Sequence, residues 1–213
     1  MSVLLSTTQT DPSVPPRPRE EEILDSIRTT FAERGFDGAS MQELARAAGM
    51  SVGNFYRYFP SKAAMVEALI RRDLTEVDQK FSEVLQAPDP FLALRYGLHQ
   101  RVAEESQGCG DGTLWAEINA AAARKPEIAA VVQGMERDIS RYLTLVFARI
   151  TGLSQDAAER RFGAHATMAV MLVKAVAMQG NRGENPQRAD LIKLVQRIID
   201  VILDEVAAAK AKE

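Results

Sequence analysis

The fold of this chain is decided by the segment from Ser40 to Lys62, which reads SMQELARAAGMSVGNFYRYFPSK. Ser40 and Glu43 have the spacing of a capping box, which predicts a short helix that ends near Ala48. Gly49 allows the chain to turn, and Ser51 can cap a second short helix. Two short helices joined by a glycine turn are the helix-turn-helix layout, in which the second helix presents side chains to the major groove of DNA.

The second short helix is predicted to have one apolar and one exposed face. Phe55 and Phe59 share a face at a spacing of four, so we expect them to pack inward onto Leu44 and Ala45 of the preceding helix. The residues left exposed are Val52, Gly53, Asn54, Tyr56, Arg57 and Tyr58. Aromatic rings beside an arginine suit sugar, thymine methyl and phosphate better than they suit water alone.

The charge distribution indicates a local contact with phosphate. The net charge of the chain is −3, yet the segment between Glu43 and Glu67 contains no acidic residue. Arg46, Arg57 and Lys62 lie within it. A small basic window on an acidic body favours contact with nucleic acid at one place on the surface.

The pattern Ala-Gly-x-Ser-x-Gly-x-x-Tyr-x-x-Phe-x-x-Lys, from Ala48 to Lys62, resembles the signature of the TetR family of bacterial regulators. The resemblance covers residues 20–70 and implies roles for single residues. It implies that Ser40, Tyr56 and Lys62 hold DNA phosphates. It places Gln42, Val52, Asn54 and Arg57 against bases or the adjacent backbone, with Ser51, Gly53 and Tyr58 on the same DNA-binding surface.

The remainder of the chain predicts an all-α fold. Apolar residues recur with helical spacing, and no alternating strand pattern is present. Helices are expected at 90–106, 112–124, 126–150, 154–180 and 188–210. We predict a flexible arm at 1–19, which contains four prolines, a three-helix helix-turn-helix domain at 20–66 and a larger helical ligand-binding and dimerisation domain at 67–213.

The last two long helices carry apolar stripes that predict a dimer seam. On the first helix the stripe is Ala164, Met168, Met171 and Ala175, and on the second it is Leu191, Leu194, Ile198 and Ile202. The resemblance implies that these helices pair with their copies in a four-helix bundle. The alternative is that both stripes only fill an internal core.

The resemblance also implies a ligand cavity among the helices at 90–150. Its candidate polar groups are His99, Glu117, Asn119, Gln133 and Arg137, and its candidate apolar wall is Phe91, Tyr96, Trp115 and Met135. Packing or surface roles are the alternative for each of these residues. The apolar wall favours a small, mostly hydrophobic effector.

Three classes of function remain open at this point. The first is a ligand-responsive repressor that binds an inverted-repeat DNA site as a homodimer. The second is a DNA-binding protein with a structural or cell-cycle role and no inducer. The third, an enzyme, is disfavoured because no nucleophile–base pair, phosphate loop or metal-ligand spacing is visible, with one cysteine (Cys109) and two distant histidines in the chain. We expect no cofactor, no membrane span and a cytoplasmic location.

Overall fold

The computed structural model describes residues 19–107, 112–179 and 186–209, and these residues form helices without strands. The helices are α1 (Arg19–Arg34), α2 (Met41–Ala47), α3 (Val52–Tyr58), α4 (Lys62–Gln86), α5 (Pro90–Ser106), α6 (Gly112–Ala122), α7 (Pro126–Thr151), α8 (Gln155–Gln179) and α9 (Arg188–Ala208). This confirms the expected all-α class. The predicted arm, apart from Arg19, and Cys109 lie outside the described residues.

Local signals set the short helices where the sequence predicts them. The hydroxyl of Ser40 accepts a hydrogen bond from the Glu43 amide at 3.2 Å, and the Glu43 carboxylate accepts one from the Ser40 amide at 2.9 Å, which completes the capping box. Gly49 has a φ of +65°, the left-handed conformation that lets α2 turn into α3. The helix-turn-helix geometry is therefore encoded locally.

The core around the helix-turn-helix extends into the second half of the chain. Phe31, Leu44, Phe55 and other buried side chains of α1 to α4 form one apolar cluster with Ile118 on α6 and Ile128 on α7. Burial of this shared surface stabilises the N-terminal helices on the helices that follow. This buried core is therefore shared by helices on both sides of residue 66.

A second apolar cluster lies among the later helices. It contains buried residues of α5, α7, α8 and α9, including Leu94, Phe147, Phe162 and Ile199. Because α7 contributes to both clusters, it connects the two halves of the molecule. The helix α4 also joins the halves, since the rings of Phe81 on α4 and Tyr142 on α7 stack at 5.4 Å.

Two ion pairs fasten α4 to α1. Arg28 bonds Asp73 at 2.7 Å, and Arg72 bonds Asp25 at 2.7 Å. Burial raises the pKa of the Asp73 carboxyl, although Arg28 and Arg72 beside it act in the opposite direction. Only three residues separate α3 from α4. A movement of α4 must therefore displace the helix-turn-helix.

The helix α8 is long and apolar enough to cross a membrane by length and composition alone. In this fold one side of α8 packs against α5, α6, α7 and α9. Two of its polar side chains contact neighbouring helices: Lys174 bonds Glu136 on α7, and Nε2 of His165 lies 3.0 Å from Glu205 on α9. The opposite side carries exposed apolar residues, which are described below.

Candidate nucleic-acid interface

The orientation of α3 is set by its two phenylalanines. Phe55 is fully buried, Phe59 is almost fully buried, and their ring centroids are 5.7 Å apart. The hydroxyl of Ser51 caps the helix by accepting a hydrogen bond from the Asn54 amide at 3.4 Å. The other six residues of α3 are exposed to solvent: Val52, Gly53, Asn54, Tyr56, Arg57 and Tyr58.

The exposed face of α3 has groups that can contact DNA. Asn54, Arg57 and Tyr58 line an open concavity of about 350 Å³. Tyr56 and Tyr58 are 47% and 50% exposed, which is high for large rings. Within the described residues, the side chains of Asn54, Tyr56 and Arg57 form no hydrogen bond or ion pair, so their polar groups are available to bases and phosphates.

The two predicted DNA contacts at the start of α2, Gln42 and Ser40, are both exposed, but the Ser40 hydroxyl already has a hydrogen-bond partner. Gln42 is exposed on the first turn. Ser40 is exposed too, but its hydroxyl also donates to the Glu43 carboxylate at 2.8 Å. Hydrogen bonds from Ser40 lower the pKa of the Glu43 carboxyl, which keeps this acceptor ionised. To reach a phosphate, the Ser40 hydroxyl must turn away from Glu43.

Lys62 lies differently from the expected phosphate ligand. Its ammonium donates to the backbone carbonyls of Phe36 at 2.6 Å and Asp37 at 3.3 Å. It also lies 5.2 Å from the centroid of the Phe36 ring. Burial lowers the pKa of Lys62, despite the nearby Asp37 carboxylate. In this structure Lys62 therefore points into the protein, toward the α1–α2 loop.

Arg46 is a basic residue of the acid-free window to which the family resemblance assigns no separate contact. It is exposed in the last turn of α2 and lines a groove of about 230 Å³ between α1 and α2. Glu33, Arg34 and Glu43 line the same groove, and Arg34 bonds Glu43 at 2.8 Å. The acid-free window in the sequence is the signal that marks Arg46 as a candidate contact with phosphate.

The structure does not bring the candidate ligand residues into one pocket. Phe91 packs with the second cluster, whereas Trp115 and Met135 pack with the first. Tyr96 is 71% exposed, and Gln133 and Arg137 are exposed on α7. Two open grooves of the described residues, of about 230 and 350 Å³, lie in the helix-turn-helix region and are lined by none of the candidate ligand residues.

The polar ligand candidates that are not exposed already have partners. His99 lies 2.9 Å from Asp200 on α9, and the Asn119 amide donates to the Trp115 carbonyl at 2.7 Å. The Glu117 carboxylate accepts a hydrogen bond from the Phe36 amide at 3.2 Å. An effector that used these groups would have to displace the present partners.

Most of the candidate seam residues lie on an exposed surface. Ala164, Met168, Met171 and Ala175 are all exposed on the outer side of α8. On α9, Leu194 and Ile198 are exposed, Leu191 is half-buried and Ile202 is only 8% exposed. Ile202 therefore lies at the inner edge of the stripe, while Val201, at 57% exposed, extends its outer edge.

Together, the capped α2, the left-handed glycine turn and the anchored α3 with its polar outer face define a helix-turn-helix DNA-binding protein. The sequence model of the family described as "Bacterial regulatory proteins, tetR family" matches residues 23–69. Residues 23–69 therefore carry the domain that this family model describes. A domain of bacterial regulatory proteins at residues 23–69 agrees with the DNA-binding surface expected there from the sequence.

The curated relatives similar to this chain are HTH-type transcriptional regulators. The HTH-type transcriptional regulator UidR of Escherichia coli (strain K12) is 28% identical over 127 residues, which are 60% of this chain and 63% of UidR. The HTH-type transcriptional repressor Rv1474c of Mycobacterium tuberculosis is 34% identical over 116 residues, which are 48% of this chain and 59% of that relative. The similarity thus spans about three fifths of these relatives.

Solved structures match over most of the chain. Salmonella enterica GusR superposes with a TM-score of 0.69 at 24% identity, covering 91% of this chain and all of GusR. AibR in complex with isovaleryl coenzyme A and operator DNA superposes with a TM-score of 0.60 at 16% identity, covering 85% of this chain and 98% of AibR. At such low identity these structures speak for the fold alone.

Proposed function

We propose that this protein is a transcriptional repressor that binds an inverted-repeat DNA site as a homodimer in the cytoplasm. The observation that carries the proposal is the outer face of α3, where Asn54, Tyr56 and Arg57 are exposed on a helix fixed by buried Phe55 and Phe59. Arginine and asparagine are the side chains that read guanine and adenine edges in the major groove. The naming of relatives such as Rv1474c as repressors supports the direction of regulation.

A dimer follows from the size of the reading surface. One seven-residue helix covers only a few base pairs, so useful affinity requires two such helices spaced by a turn of DNA. The exposed apolar surface formed by Met168, Met171, Leu194, Ile198 and Val201 is the proposed seam. A two-fold axis through it places both reading helices on the same side of the dimer. Such a dimer would also bury the exposed apolar side of α8, so this side needs no membrane to cover it.

We further propose that a small, mostly apolar effector releases the DNA. AibR was solved with isovaleryl coenzyme A and operator DNA, which is a precedent for both ligands on this fold. In this chain, an effector among α5 to α7 would have to part side chains that now pack together, such as Trp115 and Met135. It would then act by binding one spacing of the two reading helices better than another.

A DNA-binding protein without an effector is the second candidate. The observation that favours it is that the side chains of His99, Glu117 and Asn119 already have hydrogen-bond partners within the protein. A screen of acyl and aromatic compounds for an increase in melting temperature separates the two candidates. A compound that raises the melting temperature and lowers DNA affinity supports the effector, and a screen without such a compound favours the second candidate.

The DNA-reading proposal is tested by selecting duplexes from a random pool with the parent and with single variants. Arg57→Ala and Asn54→Ala should each relax the preference at particular base pairs, by about 1–3 kcal/mol per contact, because they remove base-edge hydrogen bonds. Affinity for random DNA should fall much less. Arg149→Ala, which removes an exposed arginine on α7, is the matched control and should recover the parental motif. An unchanged motif for both α3 variants would contradict the proposal.

A further inference from the structure

The loop between α1 and α2 is held from two directions. Its residue Phe36 is 2% exposed and packs against Phe31 with ring centroids 5.2 Å apart. Phe36 belongs to the apolar cluster that contains Leu114 and Ile118 of α6. The loop of the DNA-binding domain therefore rests directly on a helix of the second domain.

Charged groups from the second domain fix the polar side of this loop. Glu117 on α6 accepts from the Phe36 amide at 3.2 Å. Arg124 and Lys125, which follow α6, bond the Asp37 carboxylate at 2.6 and 3.1 Å. These bonds lower the pKa of Asp37, so the carboxylate stays ionised in the pH range where DNA binding would be measured.

The start of α4 holds the same loop from the other side. Lys62, its first residue, donates to the carbonyls of Phe36 and Asp37. Phe36 is thus bonded through its amide to α6 and through its carbonyl to α4. Three residues before Lys62, Phe59 closes α3 and is itself buried in the shared core. If α6 shifts relative to the reading helix, these hydrogen bonds must either break or move the loop together with α6.

We propose that the α1–α2 loop couples the second domain to the reading helix through a clamp of Glu117, Arg124 and Lys125 on one side and Lys62 on the other. The inference rests on the proposed function, since it concerns how the DNA-binding surface is positioned. Bonds of this kind have discrete made and broken arrangements, as a coupling element requires. Coupling is reciprocal, so DNA bound at α3 must alter α6 just as a change at α6 alters DNA affinity.

The clamp gives Lys62 a different role from that implied by the family resemblance. Its ammonium is shared between two carbonyls, and a phosphate could take it only by releasing the loop. Lys62 is in this scheme a positioning residue that acts through Phe36 and Asp37. Removing it should weaken DNA binding without changing the number of counterions that DNA binding releases.

Trp115 provides a reporter for the clamp. It is the single tryptophan of the chain, lies on α6 two residues before Glu117, and packs partly buried against the shared core. Adding a duplex of about 30 base pairs, three helical turns, should shift the Trp115 emission of the parent. The anisotropy of a labelled duplex measures binding independently in the same titration.

The decisive variant is the double substitution Asp37→Asn with Glu117→Gln, which removes both carboxylates of the clamp. At saturating duplex it should lose the Trp115 shift. Without DNA, amide hydrogen exchange at the α1–α2 loop should rise about tenfold or more, since hydrogen bonds to charged groups are lost. The control is Glu159→Gln with Asp190→Asn, exposed residues on α8 and α9, which should behave like the parent. A parental emission shift and parental exchange in the clamp variant would overturn the coupling.

Lys62→Met tests the positioning role separately. We expect weaker binding, a lost Trp115 shift and the parental dependence of affinity on salt. A salt slope reduced by about one unit per site, with the Trp115 shift intact, would make Lys62 a phosphate ligand and overturn this part of the clamp. If the folded parent binds no duplex at all, the proposed function fails, whereas the exchange measurement without DNA still decides whether the clamp holds the loop.

Discussion

Replacing Gly35 by alanine tests the contact between the end of α1 and Glu117 on α6 at a single atom. Gly35 ends α1 with a φ of +74°, and its own amide donates to the Phe31 carbonyl at 3.0 Å. A Cβ atom at this position would lie 2.9 Å from Oε2 and 3.3 Å from Cδ of Glu117. The Glu117 carboxylate would have to move, and we expect this movement to break its hydrogen bond with the Phe36 amide.

The expected loss of stability has two parts. A left-handed conformation costs a residue with a Cβ about 1 kcal/mol or slightly more. Loss of a hydrogen bond to a charged acceptor adds about 1.5–3 kcal/mol. Gly35→Ala should therefore lower the free energy of unfolding by about 3 kcal/mol. Gly49→Ala is the matched control, because Gly49 has a similar φ of +65° but no atom within 4 Å of its Cβ position, so it should lose only about 1 kcal/mol.

Urea denaturation measures the free energy of unfolding of both variants. All samples are kept at one protein concentration, because the stability of a dimer depends on concentration. The cycle is completed with Glu117→Ala and with the double variant. In the Glu117→Ala background, Gly35→Ala should cost only about 1 kcal/mol, because the group it displaces is already absent. Equal losses for Gly35→Ala and Gly49→Ala, or losses that simply add in the double variant, would refute the reasoning.

Two further predictions concern the seam and the acid limit of stability. Met171→Glu and Ile198→Glu should each convert the dimer into folded monomers in sedimentation, because each places a charge in the proposed apolar seam. The control is Leu92→Glu, at an exposed apolar site on α5, which should stay dimeric. A Met171→Glu protein that remains dimeric would place the seam elsewhere. Asp37 has a lowered pKa in the folded state, so its contribution to stability is present above the unfolded pKa of about 4 and is lost as pH falls through the lower folded value. The stability difference between the parent and Asp37→Asn, measured by urea denaturation, should accordingly shrink below about pH 4, and a difference that is the same at neutral and acid pH would contradict the stabilising role of the ionised carboxylate.

Local rules explain why the DNA-binding surface could be read from the sequence. The capping box at Ser40 and Glu43 lies within four residues, and the spacing of Phe55 and Phe59 fixes the buried face of α3. The structure confirms both. The exposed apolar side of α8 follows the same logic, since residues three and four apart share a helix face. Periodicity also gave the long helices within about two residues at their ends.

Periodicity assigns a face to a residue, but it does not say what that face meets. The stripe on α9 placed Ile202 with Leu194 and Ile198, yet Ile202 is buried and the neighbouring Val201 is exposed. The candidate ligand residues show the same limit. Trp115 and Met135 pack in the first apolar cluster, whereas Phe91 packs in the second. The helical pattern of the sequence could not show that these residues belong to different clusters.

The amino-acid sequence by itself determined the all-α class, the helix-turn-helix and the side chains that α3 exposes, because caps, turns and helical spacing act over a few residues. Only the tertiary structure decided which groups Lys62 and Glu117 bond. Their partner Phe36 lies 26 and 81 positions away in the chain, and no local pattern records such a separation. A charged side chain can bond a backbone carbonyl or amide at any position, so the bond exists only once packing of the shared core has brought the loop between α4 and α6.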